Sequence, residues 1–446
     1  MKTVYFVHCV DTEGPLMEDF DVPFQLVKRI YNIDIEPTRE NLQKLRNKEI
    51  DLGGLEDAVA STVDPKKSTL GTWTEIDRML DTVTSPEYRA RLADSDGNGW
   101  KFTWCCVDHV GFTGVNPRHR DAGYNNVYDR YRRLVDAQKL GDTIGFHYHP
   151  VSLSGNFNDS GTAYWGGENL NKILAHAVID RMWFPAVFRP GFNTERPDSN
   201  WFLEQWIPFD YANNAMNRAN SDQPDLTDGR FGDWRRAPAE WRPYHPSHDD
   251  YQVEGSCRRY IMRALNMYAR LCQVEIDDIR EGFERARTVG DTVIAVADHD
   301  YKDMAFDIDR VREMLRKVSA EYPDVRFLYC DGITAMRNVL GLRPVSCNLN
   351  ARIDRSGIHP RLVVTSDDNI FGPQPFLAVK THGNVYHWDN FDFYKKNCWT
   401  YTFDSNTVPL EQVDKLGVAS NSSSGVTDVL LYDGAAAQFD KKVLNL

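Results

Sequence analysis

His147-Tyr148-His149-Pro150 follows the apolar run 143–146. Side chains alternate along an extended segment, so imidazoles one residue apart leave the same face. Neutral imidazole is the commonest protein ligand for zinc and similar ions, and the pair forms half of a ligand set. Asp11-Thr12-Glu13 closes another apolar run, 4–10, and again directs two like side chains to one face. One of these carboxylates can complete a His-His-carboxylate site, while the other serves as general base toward water activated there. In isolation each feature has a plainer use. An acid after a strand caps a turn, and a single His-x-His is commonly surface decoration.

Two further apolar runs end the same way. Arg189-Pro190-Gly191-Phe192 follows 186–188, and an arginine there can clamp a neighbouring carboxylate and keep it ionised. His299 ends the run 292–297 between Asp298 and Asp300, which are expected to hold it protonated as a general acid. Asp108-His109 follows 102–107 in a similar manner, but a turn role suffices for it. Hydrophobic segments that each finish in titratable residues point to one metal-dependent site at the carboxyl ends of parallel strands.

The elements that must position these residues alternate along the chain to about residue 340. Short β-branched or aromatic runs predict strands at 4–10, 102–107, 143–146, 186–188, 209–211, 292–297 and 325–329. Between them, helical spacing relates Leu170, Ile173, Leu174, Ala177 and Val178, and likewise Ile276, Ile279, Phe283 and Ala286. Ile308, Val311, Met314, Leu315 and Val318 repeat the pattern, with Asp307 as the expected N-cap. Repeated strand–helix units imply an α/β fold with a parallel sheet, and their number favours a barrel over a doubly wound sheet. Insertions at 15–99, charged and part helical, and at 213–256 interrupt the pattern, and loops this long in a compact fold are expected to be lids or binding walls. The second carries Trp234, Trp241 and Tyr244, which read as flat apolar walls for a substrate ring. Over 341–446 short alternating runs are punctuated by Asn, Asp, Ser and Gly, which predicts an all-β, sandwich-like domain, either a structural cap or a carbohydrate-binding unit.

The 446 residues carry a net charge of −13, which argues against nucleic acid or an anionic membrane as the main partner. No apolar run approaches the ~18 residues of a membrane span, so no membrane insertion is expected. The 8 cysteines form no Cys-x-x-Cys pair, and no basic-then-apolar leader opens the chain. Both features predict a reduced, cytoplasmic compartment. Oligomeric state is left open.

In order, Val10-Asp11-Thr12-Glu13-Gly14, Gly145-Phe146-His147-Tyr148-His149, Phe188-Arg189-Pro190-Gly191-Phe192 and the run ending in His299-Asp300 resemble the successive motifs of the NodB-homology polysaccharide deacetylases, carbohydrate esterase family 4. The resemblance covers 1–340 without the insertions and implies an irregular (β/α)7-type barrel. It implies removal of N- or O-acetyl groups from sugars with one divalent metal, zinc first, with iron, cobalt, nickel or manganese as alternatives. It also implies roles: Asp11 as catalytic base, Arg189 as its tether, His299 as catalytic acid, and Glu13, His147 and His149 as metal ligands. Thr12 separates carboxylates that the family has adjacent, and only Tyr148 separates histidines that it spaces by three, so an exchange of roles between Asp11 and Glu13 stays open. More loosely, the chain looks like deacetylases of bacterial O-antigen (lipopolysaccharide) biosynthesis. The expected activity is hydrolysis of an N-acyl group, acetyl in the simplest case, on an acylated sugar of a surface polysaccharide or its precursor. Hydrolysis of a non-sugar amide, and a catalytically degenerate carbohydrate-binding barrel, are the alternatives.

Overall fold

Strand β1 (Lys2–Thr12) is apolar and buried along almost its whole length, as expected of a central parallel strand covered on both faces. In the computed structural model, which describes residues 2–16, 19–108, 126–150, 161, 163–164, 169–217, 232–269 and 271–444, this strand organises the first part of the chain. One of its edges pairs with β8 (Thr292–His299), in a register that sets Asp11 beside His299. The other edge is shared. Its first half pairs with β9 (Val325–Cys330) and its second half with β2 (Thr103–Val107). From β2 the order continues through β3 (Thr143–Tyr148), β4 (Val187–Pro190), β5 (Phe209–Asn213) and β6 (Tyr260–Arg263), every pair parallel. The short β7 (Leu265–Asn266) pairs with β8. Only Ala264 separates β6 from β7, so the chain steps there from the partner of β5 to the partner of β8. The parallel sheet is thereby nearly closed into a barrel.

Helices cover its outside with the apolar faces foreseen from spacing. Helix Ile276–Thr288 buries Ile279, Phe283 and Ala286, and helix Met304–Glu321 buries Ile308, Val311, Leu315 and Val318. The N-cap of the latter is Asp303, whose side chain accepts from the Ala305 N–H, and not Asp307. The helix starts one turn earlier than expected, which places Asp307 inside it, buried against Lys302.

The first insertion leaves the barrel at Leu16 and returns at Leu70. Leu16 N–H donates to the Leu70 carbonyl (2.9 Å), and Leu70 N–H donates to the carbonyl of Tyr301 just beyond β8. Between these points helices Val22–Tyr31, Arg39–Asn47 and Glu56–Thr62 enclose a small core of Phe24, Val27, Leu42, Leu45, Val59 and Val63. The second insertion packs Trp234, Tyr244 and Tyr251 with Ile261 of β6 into another satellite core.

Beyond the barrel lie a four-stranded and a five-stranded antiparallel sheet with a shared core that includes Leu362, Val364, Leu377, Trp399 and Leu416. Helix Asn169–Arg181 is buried over most of its length because it also packs on the five-stranded sheet, where Gly417 lets Val178 approach. All eight cysteines are buried, and none is joined in a disulfide. Among the described residues no helix is long and apolar enough to cross a membrane.

Candidate metal centre

Glu13, His147 and His149 converge, fully buried, at the carboxyl ends of β1 and β3. The two histidine Nε2 atoms lie 3.0 Å apart, and Glu13 Oε1 is 3.3 Å from His149 Nε2 and 3.7 Å from His147 Nε2. Ligand atoms around a tetrahedral ion with bonds of ~2.0–2.1 Å stand about 3.3 Å from one another, so the donor set fits a divalent ion of that kind. His147 Nδ1 is 2.9 Å from the Arg189 carbonyl. A carbonyl only accepts, so Nδ1 carries the hydrogen and the Nε2 lone pair faces Glu13 and His149. This is the outer contact that a metal-binding imidazole needs.

Glu13 is positioned through its backbone. Its N–H donates to Asp300 Oδ1 (2.8 Å), the Gly14 N–H donates to both Asp300 oxygens, and Tyr131 donates its hydroxyl to Asp300 Oδ2 (2.7 Å). His149 is positioned by the turn after β4. There Phe192 and Asn193 adopt left-handed backbone (φ 54° and 50°), and the Phe192 ring meets the His149 ring edge-on at 5.0 Å. A Cβ on Gly191 would lie 2.4 Å from the His149 ring, so only glycine leaves room for it.

Asp11 is gripped by Arg189, whose Nε donates to Oδ1 (2.8 Å) and Nη2 to Oδ2 (3.0 Å), with both side chains almost wholly buried. Burial pushes the Asp11 pKa upward, and the adjacent guanidinium outweighs it, leaving the group lowered to about 2. Arg189 also donates to the Tyr211 carbonyl and to Asn193 Oδ1, which fixes its orientation. His299 Nε2 stands 3.9 Å from Asp11 Oδ2 and 3.8 Å from Glu13 Oε1.

The expectation that Asp298 and Asp300 hold His299 protonated is corrected. Burial lowers its pKa to about 4, against the pull of Asp11 and Asp298, so the ring is neutral at pH 7. Asp298 is engaged by Lys302 (3.1 Å) and Asp300 by the Glu13 and Gly14 amides just beyond β1, and neither carboxylate is hydrogen-bonded to the imidazole.

Asp11, Glu13, His149, Arg189 and His299 floor a cavity of about 370 Å³, within the range of small-molecule sites, with His147 buried behind them. Its aromatic walls are Phe192, Tyr268 and Tyr301, with Leu26 and Ile30 contributed by the first insertion. Trp234, Trp241 and Tyr244 are not walls of it. They are 1%, 0% and 2% exposed, and each polar tip is satisfied within the protein: Trp234 on the Asn193 carbonyl, Trp241 on that of Asp278 and Tyr244 on that of Tyr251. Phe192 and Tyr301 each sit shortly after a site residue at a strand end, a signal that the sequence did carry; Tyr268 has none. Asp108 is buried after β2, and His109 lies outside the described residues. No protein-family model matches the chain, and no characterised protein matches it in sequence.

Proposed function

We propose that this chain is a metal-dependent hydrolase of the NodB-homology kind, on a variant of that (β/α)7-type barrel, which removes an N-acyl group from a sugar of a bacterial surface polysaccharide or its precursor. The observation that carries the reading is the convergence on one cavity floor of a Glu-His-His donor set, an arginine-tethered carboxylate and a neutral imidazole. Glu13, His147 and His149 would hold the ion, with zinc the first choice for mixed carboxylate and imidazole donors. When bound, such an ion supplies Lewis acidity toward an acyl oxygen and toward water. Asp11, ionised and fixed by Arg189, takes the proton of the attacking water. His299, neutral and with Nε2 3.9 Å from Asp11 Oδ2, receives that proton in turn. It then delivers the proton to the departing nitrogen. Phe192, Tyr268 and Tyr301 offer apolar surface to a sugar ring.

Elemental mass spectrometry tests the centre: about one equivalent of metal is expected in the wild type and none in His147→Ala/His149→Ala. Acetate release from a panel of N-acetylated sugars, with cyclic amides as the contrast, then tests the reaction. Asp11→Asn and His299→Ala are expected to lose most turnover and keep the metal. A wild type that takes up neither zinc nor cobalt, or a loaded enzyme that releases no acyl group from any sugar, refutes the proposal.

A further inference from the structure

Four cations line the cavity: Arg29, Lys67, Arg189 and Lys302. Arg189 is committed to Asp11, and Lys302 to Asp298 and Asp307. Those pairings neutralise two of the carboxylates at the cavity, and Glu13 belongs to the donor set. Arg29, on helix Val22–Tyr31 of the first insertion, is exposed, and its side chain forms no ion pair or hydrogen bond with any described residue. Lys67 comes from the same lobe. Its Nζ donates to the carbonyl and hydroxyl of Ser61 (2.8 and 2.9 Å) and lies 4.7 Å over the Tyr268 ring. Asp64 accepts from the Tyr268 hydroxyl (2.7 Å), so the lobe is latched to this wall beside Lys67. On a chain of net charge −13, an uncommitted guanidinium lining the cavity of a hydrolytic centre is complementary to an anion on the ligand.

We infer that the lobe formed by residues 19–70 is an anion-recognition wall, on which Arg29, assisted by Lys67, binds a phosphoryl or carboxylate group carried by the sugar whose acyl group lies at the metal centre. The identity of the ligand as an acylated sugar rests on the function proposed above; the anion site does not.

Isothermal titration of the whole, EDTA-treated protein separates the two. The probes are N-acetylglucosamine, its 1-phosphate, the corresponding N-acetylated uronate, and inorganic phosphate. At least one anionic sugar is expected to bind about tenfold tighter than the neutral one, the gain of one charge-assisted contact. Whichever of the phosphate and the uronate binds tighter identifies the group. Arg29→Gln/Lys67→Gln is expected to abolish that advantage and leave the neutral sugar unchanged. Equal binding of neutral and anionic sugars, or an advantage that survives in the variant, overturns the inference even if the metal-loaded enzyme deacetylates sugars. Inorganic phosphate bound by the wild type and not by the variant, with no sugar bound, upholds the anion site while removing support for the sugar. Binding of none of the probes overturns it.

Discussion

Arg189→Met removes the guanidinium from Asp11 with little change in side-chain volume. In the folded protein it leaves a carboxylate that is 2% exposed with no counter-charge, and it also strips donors from the Tyr211 carbonyl and Asn193 Oδ1. The magnitude can be bracketed in two ways. Asp11 is lowered from 3.8 to about 2, and by linkage that ionisation stabilises the native state at pH 7 by ~2 kcal/mol, net of its burial cost. Without the arginine the burial cost is unopposed, so the loss exceeds that figure, in line with the ~3–5 kcal/mol typical of breaking a buried pair. Urea unfolding of metal-free protein at pH 7 measures it. The pH dependence provides a second check. In the wild type, the Asp11 contribution is intact above pH 3.8 and is lost as pH falls toward 2. In the variant the Asp11 pKa is raised, so protonation relieves the buried charge and Asp11 disfavours folding progressively as pH rises. Asp11→Asn/Arg189→Met is expected to recover at least ~1 kcal/mol of the single-variant loss, since a neutral amide needs no counter-charge. A loss below ~1 kcal/mol in Arg189→Met, or a double variant no more stable than the single one, refutes the account of Asp11 as a charge held ionised by Arg189.

Gly191→Ala places a methyl group 2.4 Å from the His149 ring and must displace it. Metal affinity is expected to fall ~10–100-fold in competition with a chromophoric chelator, and an unchanged affinity would show that the ring position does not matter. His8 is fully buried, accepts from Trp100 Nε1 (3.0 Å) and has its pKa lowered by burial from 6.5 to about 4. The unfolded chain therefore takes up this proton first, and its stabilisation, intact above 6.5, declines by ~3 kcal/mol as pH falls to 4. His8→Asn keeps an acceptor for Trp100 without the titration, so its acid unfolding is expected at lower pH than that of the wild type. Coincident acid transitions would count against this reading.

The strands that carry the centre were legible because buried parallel strands are nearly continuous apolar runs, and β1, β3 and β8 each finish where their titratable residues begin. The alternation rule likewise accounts for His147 and His149 meeting at their Nε2 atoms. The segment that closes the sheet was not legible. β6 ends in Arg263, a charge that argues against a buried strand until Asp278 and the Ala215 carbonyl are seen to receive it. Asp300 was visible as an acid next to His299, but its role depends on the β1–β8 register, which brings it to the Glu13 and Gly14 amides. The Trp234 cluster misled because an aromatic-rich insertion looks the same whether its rings face a ligand or are buried, Trp234 and Tyr244 in a satellite core and Trp241 in the main one. The length of the 15–99 insertion marked it as a lid or binding wall, but which of its residues reach the cavity was not legible, since Leu26, Arg29 and Ile30 lie far in sequence from every ligand.

The hydrogen bonds that join Leu16 to Leu70, and Leu70 to Tyr301, set the lobe on a closed base. Closing a flexible segment costs only ~0.6 kcal/mol more for each doubling of its length, so closure itself sets little limit on what can stand on this base. Lobes of other lengths and other charges can be exchanged on that base without disturbing the register that holds Glu13 and Asp11. Reactivity and ligand preference then become separately heritable, and selection can alter one while purifying the other.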